Sequence, residues 1–442
     1  MKISGWGNYP RIESDLLFFK SVEEVKQKIN SMGSFIPRGS GLSYGDSSLS
    51  ENTVSTLEFN RILYFDEQQG IITCEAGVRF KDIIEAVILK GWFLSVTPGT
   101  KFVTVGGAVA SDVHGKNHHK VGTFSDHVLA IDIMLPDGHV VTCTRSENHD
   151  LFKATCGGMG LTGIILTATF ALKRIETAYI KQTCKKARNL DELIDLFEQF
   201  KDVSYSIAWV DCLSRNINLG RGILILGEHA TRKDIENLEI SKKPLAVRKK
   251  PELNIPLMFP NFTLNWFSGK VFNNFFFSRN SHKAGSSIVD YDSFFYPLDR
   301  VHNWNRVYGH RGSTEYQFVL PKESSREGLM EIFDKINKSK IYSYFAGLKL
   351  FGKGNDNYLS FPMYGYTLAL EFPVAKGLFE LLADLDKLVL EYGGRLYISK
   401  DMRMSGMMFR KTYINSEKFQ IYKQKLDKGN KLQSLQSKRL GI

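Results

Sequence analysis

Apolar positions along the first 175 residues recur with two periods. Short β-branched runs over 71–75, 128–135, 140–144 and 164–172, bounded by glycine, proline and Asp-Gly, predict strands. Between them Ile83, Ile84, Val87 and Ile88 fall on one side of a 3.6-residue repeat and predict a helix over 80–90, and a second helix is expected over 22–31. Past residue 175 the same patterns predict helices over 190–200, 326–336 and 377–391 and strands over 316–320 and 367–372. Leu193, Ile194, Leu196 and Phe197 form the inward side of the first of these helices. Strands and helices mixed in this way define an α+β chain.

Two stretches fit neither period. From 246 to 283 the chain carries Leu257, Met258, Phe259, Phe262, Leu264, Trp266, Phe267, Phe272, Phe275, Phe276 and Phe277, flanked by Arg248, Lys249, Lys250, Lys270, Arg279 and Lys283. An irregular loop or short amphipathic segment is expected there, either as a buried apolar patch or as a lipid-contacting element, since aromatics beside lysines suit an anionic membrane interface. The tail over 415–442 holds seven cations, Lys418, Lys423, Lys425, Lys428, Lys431, Lys438 and Arg439, against Glu417 and Asp427, and reads as a solvated terminal helix.

Composition narrows the class. The 442 residues imply roughly three domains at most, and 43% hydrophobic with 24% charged residues is ordinary globular usage, which excludes fibres, coiled coils and disordered tails. Five cysteines (Cys74, Cys143, Cys156, Cys184, Cys212) without a C-x-x-C pair argue against a zinc ribbon or a disulfide scaffold and fit a reducing compartment. The N-terminal MKISGWGNYPRIESD lacks an apolar core, so no signal peptide is expected, and no run of apolar residues is long enough to span a bilayer. A cytoplasmic protein is expected. The net charge of +11 favours anionic partners such as phosphorylated molecules, an acidic membrane or nucleic acid. Nucleic acid is disfavoured, because the cations are dispersed and no stacking motif accompanies them.

The chemistry lies in three glycine-rich segments, IPRGSGLSYGDSSLS (36–50), TPGTKFVTVGGAVASDVHGKNHH (97–119) and CGGMGLTGIILTATFAL (156–172). Glycines beside hydroxyl residues let backbone N–H groups converge on phosphate oxygens, and three such loops in a basic chain point to a large diphosphate ligand. Gly158, Gly160 and Gly163 satisfy G-x-G-x-x-G, but a strand follows where a Rossmann turn needs a helix, so NAD is rejected. No P-loop occurs. His114, His118 and His119 invite a metal, yet no carboxylate or thiolate stands at ligand spacing and Lys116 and Lys120 would repel a cation, so no metal is expected.

The order RGSGLSYGD, TPGT, TVGGAVASDVHGKNHH and GGMGLTG resembles the FAD-binding domain of the vanillyl-alcohol oxidase / p-cresol methylhydroxylase superfamily, and within it the branch of decaprenylphosphoryl-β-D-ribose 2′-oxidases. GGRLYISKDMR, FFYPLD, NWNRVYG, YQFVLP and LSFPMYGY extend the resemblance over almost the whole chain. It implies an FAD-binding domain over 1–176, a substrate-binding domain built on an antiparallel sheet over 177–394, and a segment over 395–442 returning to the FAD domain.

The resemblance also implies roles. Arg38, Gly39, Ser40, Gly41, Leu42, Ser43 and Tyr44, then Gly99, Thr100, Thr104, Gly106, Gly107, Ala110, Ser111, His114 and Asn117, then Gly160, Gly163 and Ile164 would bind the cofactor. Lys400, His114 and Lys116 would be catalytic, and Gln317, Lys349, Thr367, Tyr397 and Lys400 would line the substrate pocket. Leu42 and Ser43 stand in the loop where some superfamily members attach FAD through histidine, so noncovalent FAD is expected. Ala369, Thr367 and Glu315 depart from the pattern of the mycobacterial enzymes, which implies an altered sugar or lipid. The implied reaction oxidises the 2′-hydroxyl of a polyprenyl-phosphate-linked ribose to a ketone, the first half of epimerisation to arabinose in cell wall biosynthesis. An NAD(P)H-dependent reductase would complete the inversion, and the enzyme would sit peripherally on the inner membrane face. The alternative within the superfamily is a flavin oxidase of a soluble polyol or aldonolactone.

Overall fold

The computed structural model describes residues 1–279 and 286–442, so Lys283 lies outside the described residues. Strands Asp15–Phe18 and Ile36–Arg38 both pair in parallel with Asn52–Ser55. The helix Val22–Ser31 makes the crossover that parallel strands require. Ser21 caps it by accepting from Glu24 N at 3.2 Å, and Val25 and Ile29, four apart, are its buried face. The next sheet is antiparallel, in the order Val140–Thr144, Val128–Met134, Ile164–Arg174, Ile71–Glu75 and Ile62–Asp66, with Trp92–Leu94 added beside Ile164–Arg174. The helix expected over 80–90 forms as Phe80–Val87 plus a 3₁₀ turn over Ile88–Lys90.

From residue 179 an eight-stranded antiparallel sheet is built. Its order is Ser286–Asp290, Tyr179–Ala187, Gly222–His229, Tyr205–Val210, Phe345–Phe351, Gly365–Pro373, Ser313–Pro321 and Arg395–Leu396. One face is apolar and packs under the helices Leu190–Gln199, Lys322–Ser339 and Leu378–Glu391, with Phe318, Leu348, Leu368, Leu329, Phe333 and Leu385 all fully buried. The last strand, Arg395–Leu396, belongs to this sheet, one step beyond the boundary expected at 394. Helix makes up 33% and strand 27% of the chain, a mixed α and β architecture.

The tail departs from the solvated helix expected of it. After the helices Gly406–Thr412 and Ser416–Leu426, Phe35 N donates to Lys431 O at 2.7 Å and Gln433 N to Phe35 O at 2.9 Å, which stitches the tail onto the first parallel sheet. Phe419, Leu432, Gln436 and Leu440 are buried. The cations that suggested solvent are turned outward or neutralised: Arg439 pairs with Asp46 at 2.7 Å and Asp401 at 2.9 Å.

The aromatic stretch is not a buried patch, and its core is a regular helix, Trp266–Arg279. Gly269, against Tyr344 and Leu213, and Asn273 face the protein, and Asn273 Nδ2 donates to Asp211 Oδ1 at 2.6 Å. Phe267, Phe272 and Phe275 on the outer side are 69%, 54% and 60% exposed, as are Leu257 and Phe262 nearby at 75% and 76%. Gly269 and Asn273 are inside and three phenylalanines outside, with Phe276 and Phe277 half-buried between them, unlike an ordinary surface helix.

Candidate active site

The three glycine loops meet. A Cβ on Gly39 would stand 2.2 Å from Thr104 Oγ1, so only glycine lets the first loop reach the second. Gly41 has φ +65°, where side chains are rare, and packs against the Arg38 guanidinium. That guanidinium is held from behind, donating to Ser4 O at 2.7 Å and to Ser48 O at 3.2 Å. Thr104 Oγ1 accepts from Gly107 N at 3.2 Å to start the helix Val105–Ala110, in which Gly106 lies against Ala76. Met159 N donates to Ala110 O and Gly157 N to Val109 O, which joins the third loop to that helix, and Gly160 abuts Pro37 of the first.

Gly163 and Ile164 stand behind this wall: Gly163 packs on Met134 O and the Ile164 side chain is buried in apolar core. Ser43 and Ser111 hydroxyls lie 3.3 and 3.4 Å from Ser399 Oγ. Asn117 Nδ2 donates to Ser95 O at 2.8 Å, Thr100 Oγ1 accepts from Phe102 N, and Gly99 has no atom within 4 Å of a Cβ position. Leu42 is half-buried. Ser40 Oγ and His114 Nδ1 are buried without a protein partner. A cradle that only glycine permits, edged by orphaned polar atoms, fits a large polar cofactor such as FAD.

The other wall is the second face of the eight-stranded sheet. Because side chains alternate along a strand, Tyr316, Phe318 and Leu320 enter the apolar core while Glu315, Gln317 and Val319 point the other way. Register places Glu371 opposite Glu315, Ala369 opposite Gln317, and Thr367 opposite Val319 and Lys349. This face is polar yet covered, since Gln317, Thr367 and Glu371 are all buried. Gln317 Nε2 lies 3.2 Å from both His114 Nε2 and Thr367 Oγ1. The His114 ring sits among Phe351, Phe361 and Tyr397, with centroids at 4.8, 5.8 and 5.3 Å. Burial first, then Lys349, His118 and Lys400, hold its pKa well below the usual histidine value, so it is neutral. Tyr397 offers only its ring, stacked on Phe361 at 4.5 Å, because its hydroxyl donates to Ser111 O at 2.8 Å.

Lys400, placed by the turn after strand Arg395–Leu396, donates to Glu315 Oε2 at 3.0 Å and lies 4.6 Å from the Tyr44 ring centre. Lys349 is pushed down to about 8 by burial, against the pull of Glu315. Burial and Lys349 bring Lys116 down to about 7, and its ammonium hydrogen-bonds Phe294 O below the Phe294 ring. The three histidines of HGKNHH diverge: His118 Nδ1 accepts from Gly352 N at 3.1 Å and His119 Nε2 meets Val203 O at 2.8 Å. Among the described residues no three His, Cys, Asp or Glu side chains could hold a metal ion.

Sequence reasoning passed over several supports. Asp112, fully buried, accepts from Ser360 Oγ at 2.6 Å, Asn355 Nδ2 at 3.0 Å, Asn357 Nδ2 at 3.2 Å and Ser125 N at 3.2 Å, and so clamps the segment bearing Phe361 onto the second glycine loop. Gln436 Nε2 donates to Ile398 O at 2.6 Å and steadies the turn that carries Lys400. Glu371, two residues past Ala369, was not singled out either. The available signal was a run of polar residues, Glu315, Gln317, Thr367 and Glu371, at alternate positions of strands otherwise apolar.

A glycine-lined cradle facing a covered, cation-bearing sheet defines an FAD-dependent oxidoreductase, and residues 16–144 match the FAD binding domain family. The chain is 35% identical over 422 residues to the decaprenylphosphoryl-β-D-ribose oxidase of Mycolicibacterium smegmatis, covering 93% of this chain and 91% of that protein. It belongs to that oxidase family. More distant similarity links it to the L-gulonolactone oxidase of Mus musculus, 24% identical over 84% of this chain and 81% of that one. A D-lactate dehydrogenase of Archaeoglobus fulgidus is 30% identical over 30% of this chain and 31% of its own.

Proposed function

We propose that the protein oxidises the 2′-hydroxyl of a ribose carried on a polyprenyl phosphate to the ketone, as the first half of an epimerisation to arabinose. The observation that carries this reading is continuity along one sheet face. Trp209, Gly347, Ala369 and Gln317 stand in one cross-strand row, and Phe276 of the exposed aromatic helix packs on Trp209 at 4.8 Å. A lipid can therefore lie on the outer aromatics while its sugar phosphate reaches Gln317 and the lysines beside it. Lys270 and Arg279 on the same helix suit an anionic bilayer surface, which supports a peripheral membrane position. Among the described residues no helix is long and apolar enough to cross a membrane.

In this reading Lys400, His114 and Lys116 are the catalytic residues and Gln317, Lys349, Thr367 and the Tyr397 ring shape the sugar pocket. Bound FAD supplies the acceptor for the hydride leaving the sugar carbon. Lys400 lowers the energy of negative charge developing beside it. The hydroxyl proton meets amines that burial keeps partly uncharged at neutral pH, Lys116 at about 7 and Lys349 at about 8. Neutral His114 can hydrogen-bond without repelling them. We read residues 1–176 with 397–442 as the FAD-binding domain and 177–396 as the cap, a division supported by the place of Arg395–Leu396 in the cap sheet, by the tail's bonds to Phe35 and by the Arg439 pairs. Noncovalent FAD is supported by the absence of histidine and cysteine from 38–44. The ketone product calls for an NAD(P)H-dependent reductase to finish the inversion.

The test supplies the purified protein with polyprenyl-phosphoryl ribose, free ribose and an aldonolactone while following flavin bleaching without oxygen. Bleaching by the lipid-linked sugar, with yellow colour released into the supernatant on acid precipitation, is expected. Bleaching by the lactone alone would replace this reading with oxidation of a soluble substrate, the reaction type of the mouse relative.

A further inference from the structure

Two carboxylates and one amine form a cluster that the resemblance does not supply. Glu315 and Glu371 are direct cross-strand partners on the site face, where opposed Cβ atoms stand about 5 Å apart and like charges repel. Lys400 Nζ is bonded to Glu315 at 3.0 Å, with both side chains largely enclosed at 22% and 13% exposure. Glu371, 2% exposed, meets hydroxyls instead: Ser313 Oγ donates to it at 3.0 Å, and the phenols of Tyr44 and Tyr308 also hydrogen-bond it. Among the described residues no ion pair involves Glu371.

We propose that Glu315 is a positioning residue that fixes the Lys400 ammonium over the site, and that Glu371 carries the single proton held between two facing carboxyl groups. The proposal rests on the role given to Lys400 above. Two charged acids facing each other in an enclosed site repel, and only Glu315 has an ammonium within hydrogen-bond distance. The proton falls on Glu371, the member without a cation partner among the described residues, although the hydroxyls of Ser313, Tyr44 and Tyr308 favour its charged form. Burial, then the Glu315 charge, push the Glu371 carboxyl up to about 8, in the same sense. The titratable groups facing the pair are Tyr44 from the first glycine loop, Tyr308, Lys400 and, beyond Glu315, Lys349; Phe345, the other strand neighbour of Glu371, is apolar.

The cluster adds a specificity consequence. Glu315 departs from the pattern of the mycobacterial enzymes, and here it holds Lys400 by charge at 3.0 Å. An amide there cannot enforce protonation of a neighbour, whereas a carboxylate does.

The test is infrared titration of the full-length holoprotein between pH 6 and 10, read at the C=O stretch of protonated carboxyl groups. A band present at pH 7 that fades near pH 8 is expected, absent in Glu371→Gln and fading at lower pH in Glu315→Gln, where the neighbouring charge is gone. Glu315→Gln is also expected to lower kcat about tenfold with KM changed less than about threefold, and Glu315→Asp to restore part of the loss. A band that survives Glu371→Gln, or a fading point unmoved by Glu315→Gln, overturns the proposal. If the infrared shifts occur but the parent protein oxidises none of the substrates above, the acid pair stands and the proposed function falls.

Discussion

Removing the Asp112 carboxylate should loosen the molecule where its two halves are clamped, and the size of the effect can be worked out. Four donors converge on it, but they are not equally dependent. Asn355 Nδ2 also reaches Thr123 Oγ1 at 2.9 Å and Asn357 Nδ2 reaches Ser125 Oγ at 2.8 Å, so both keep an acceptor. Ser360 Oγ and Ser125 N have no other acceptor in the network and would be stranded, at about 1–3 kcal/mol each. Against that loss, a fully buried carboxylate without an ion-pair partner among the described residues is itself expensive, and its removal returns part of the sum. Asp112 also sits at φ +41°, which Asn tolerates and Ala does not, a difference of about 1 kcal/mol.

The net expectation is a loss of about 2 kcal/mol for Asp112→Asn and about 3–4 kcal/mol for Asp112→Ala. In thermal unfolding of a chain of 442 residues this amounts to a fall of about 3–4 °C in Tm for the alanine variant. Turnover should fall with it, because the clamped segment carries Phe361, which packs on His114 and Tyr397. The decisive assay is a double-mutant cycle with Ser360→Ala. With the stranded hydroxyl gone, the double variant should be less destabilised than the sum of the singles by about 1 kcal/mol or more. An unchanged Tm in Asp112→Ala, or strict additivity in the cycle, refutes the reasoning.

Four further outcomes are expected. Lys400→Met should retain bound FAD, read from its visible absorbance, while kcat/KM falls about 100-fold, the scale of a lost charge-stabilising donor. Phe272→Ser with Phe275→Ser should reduce sedimentation of the protein with anionic vesicles while free-sugar reactions are unaltered; equal sedimentation would remove the membrane role of the helix. KM for a phosphate-bearing substrate should rise as pH climbs from 6 to 9, because Lys116 at about 7 and Lys349 at about 8 lose their charge there. The same two lysines are held below their unfolded pKa of about 10.4. Their contribution therefore opposes folding most below pH 7 and is relieved as pH rises toward 10, which stability measurements across that range would read.

What the sequence made legible is local, and what it hid is a matter of which surfaces are covered. The helix at Val22–Ser31 and the hairpin Val128–Met134 with Val140–Thr144 follow from short-range period, a cap and an Asp-Gly turn, so their signal lies within a few residues of where it acts. Strand Ser313–Pro321 shows where that signal stops. Its alternation of Tyr316, Phe318 and Leu320 with Glu315 and Gln317 is what a strand with one wet face would show. Gln317 is buried because His114, 203 residues earlier, and Tyr397, 80 residues later, close over it. The helix Trp266–Arg279 is the converse: composition marked its aromatics, but only the Asn273–Asp211 bond shows that Asn273 turns inward and sends Phe267, Phe272 and Phe275 to solvent. The tail misled for the same reason, since counting cations ignores that Arg439 finds Asp46 393 residues away. In each case the residue types are plain in the chain and silent about which side meets water. That choice is made by contacts hundreds of residues long, and in this protein those contacts gather at the site.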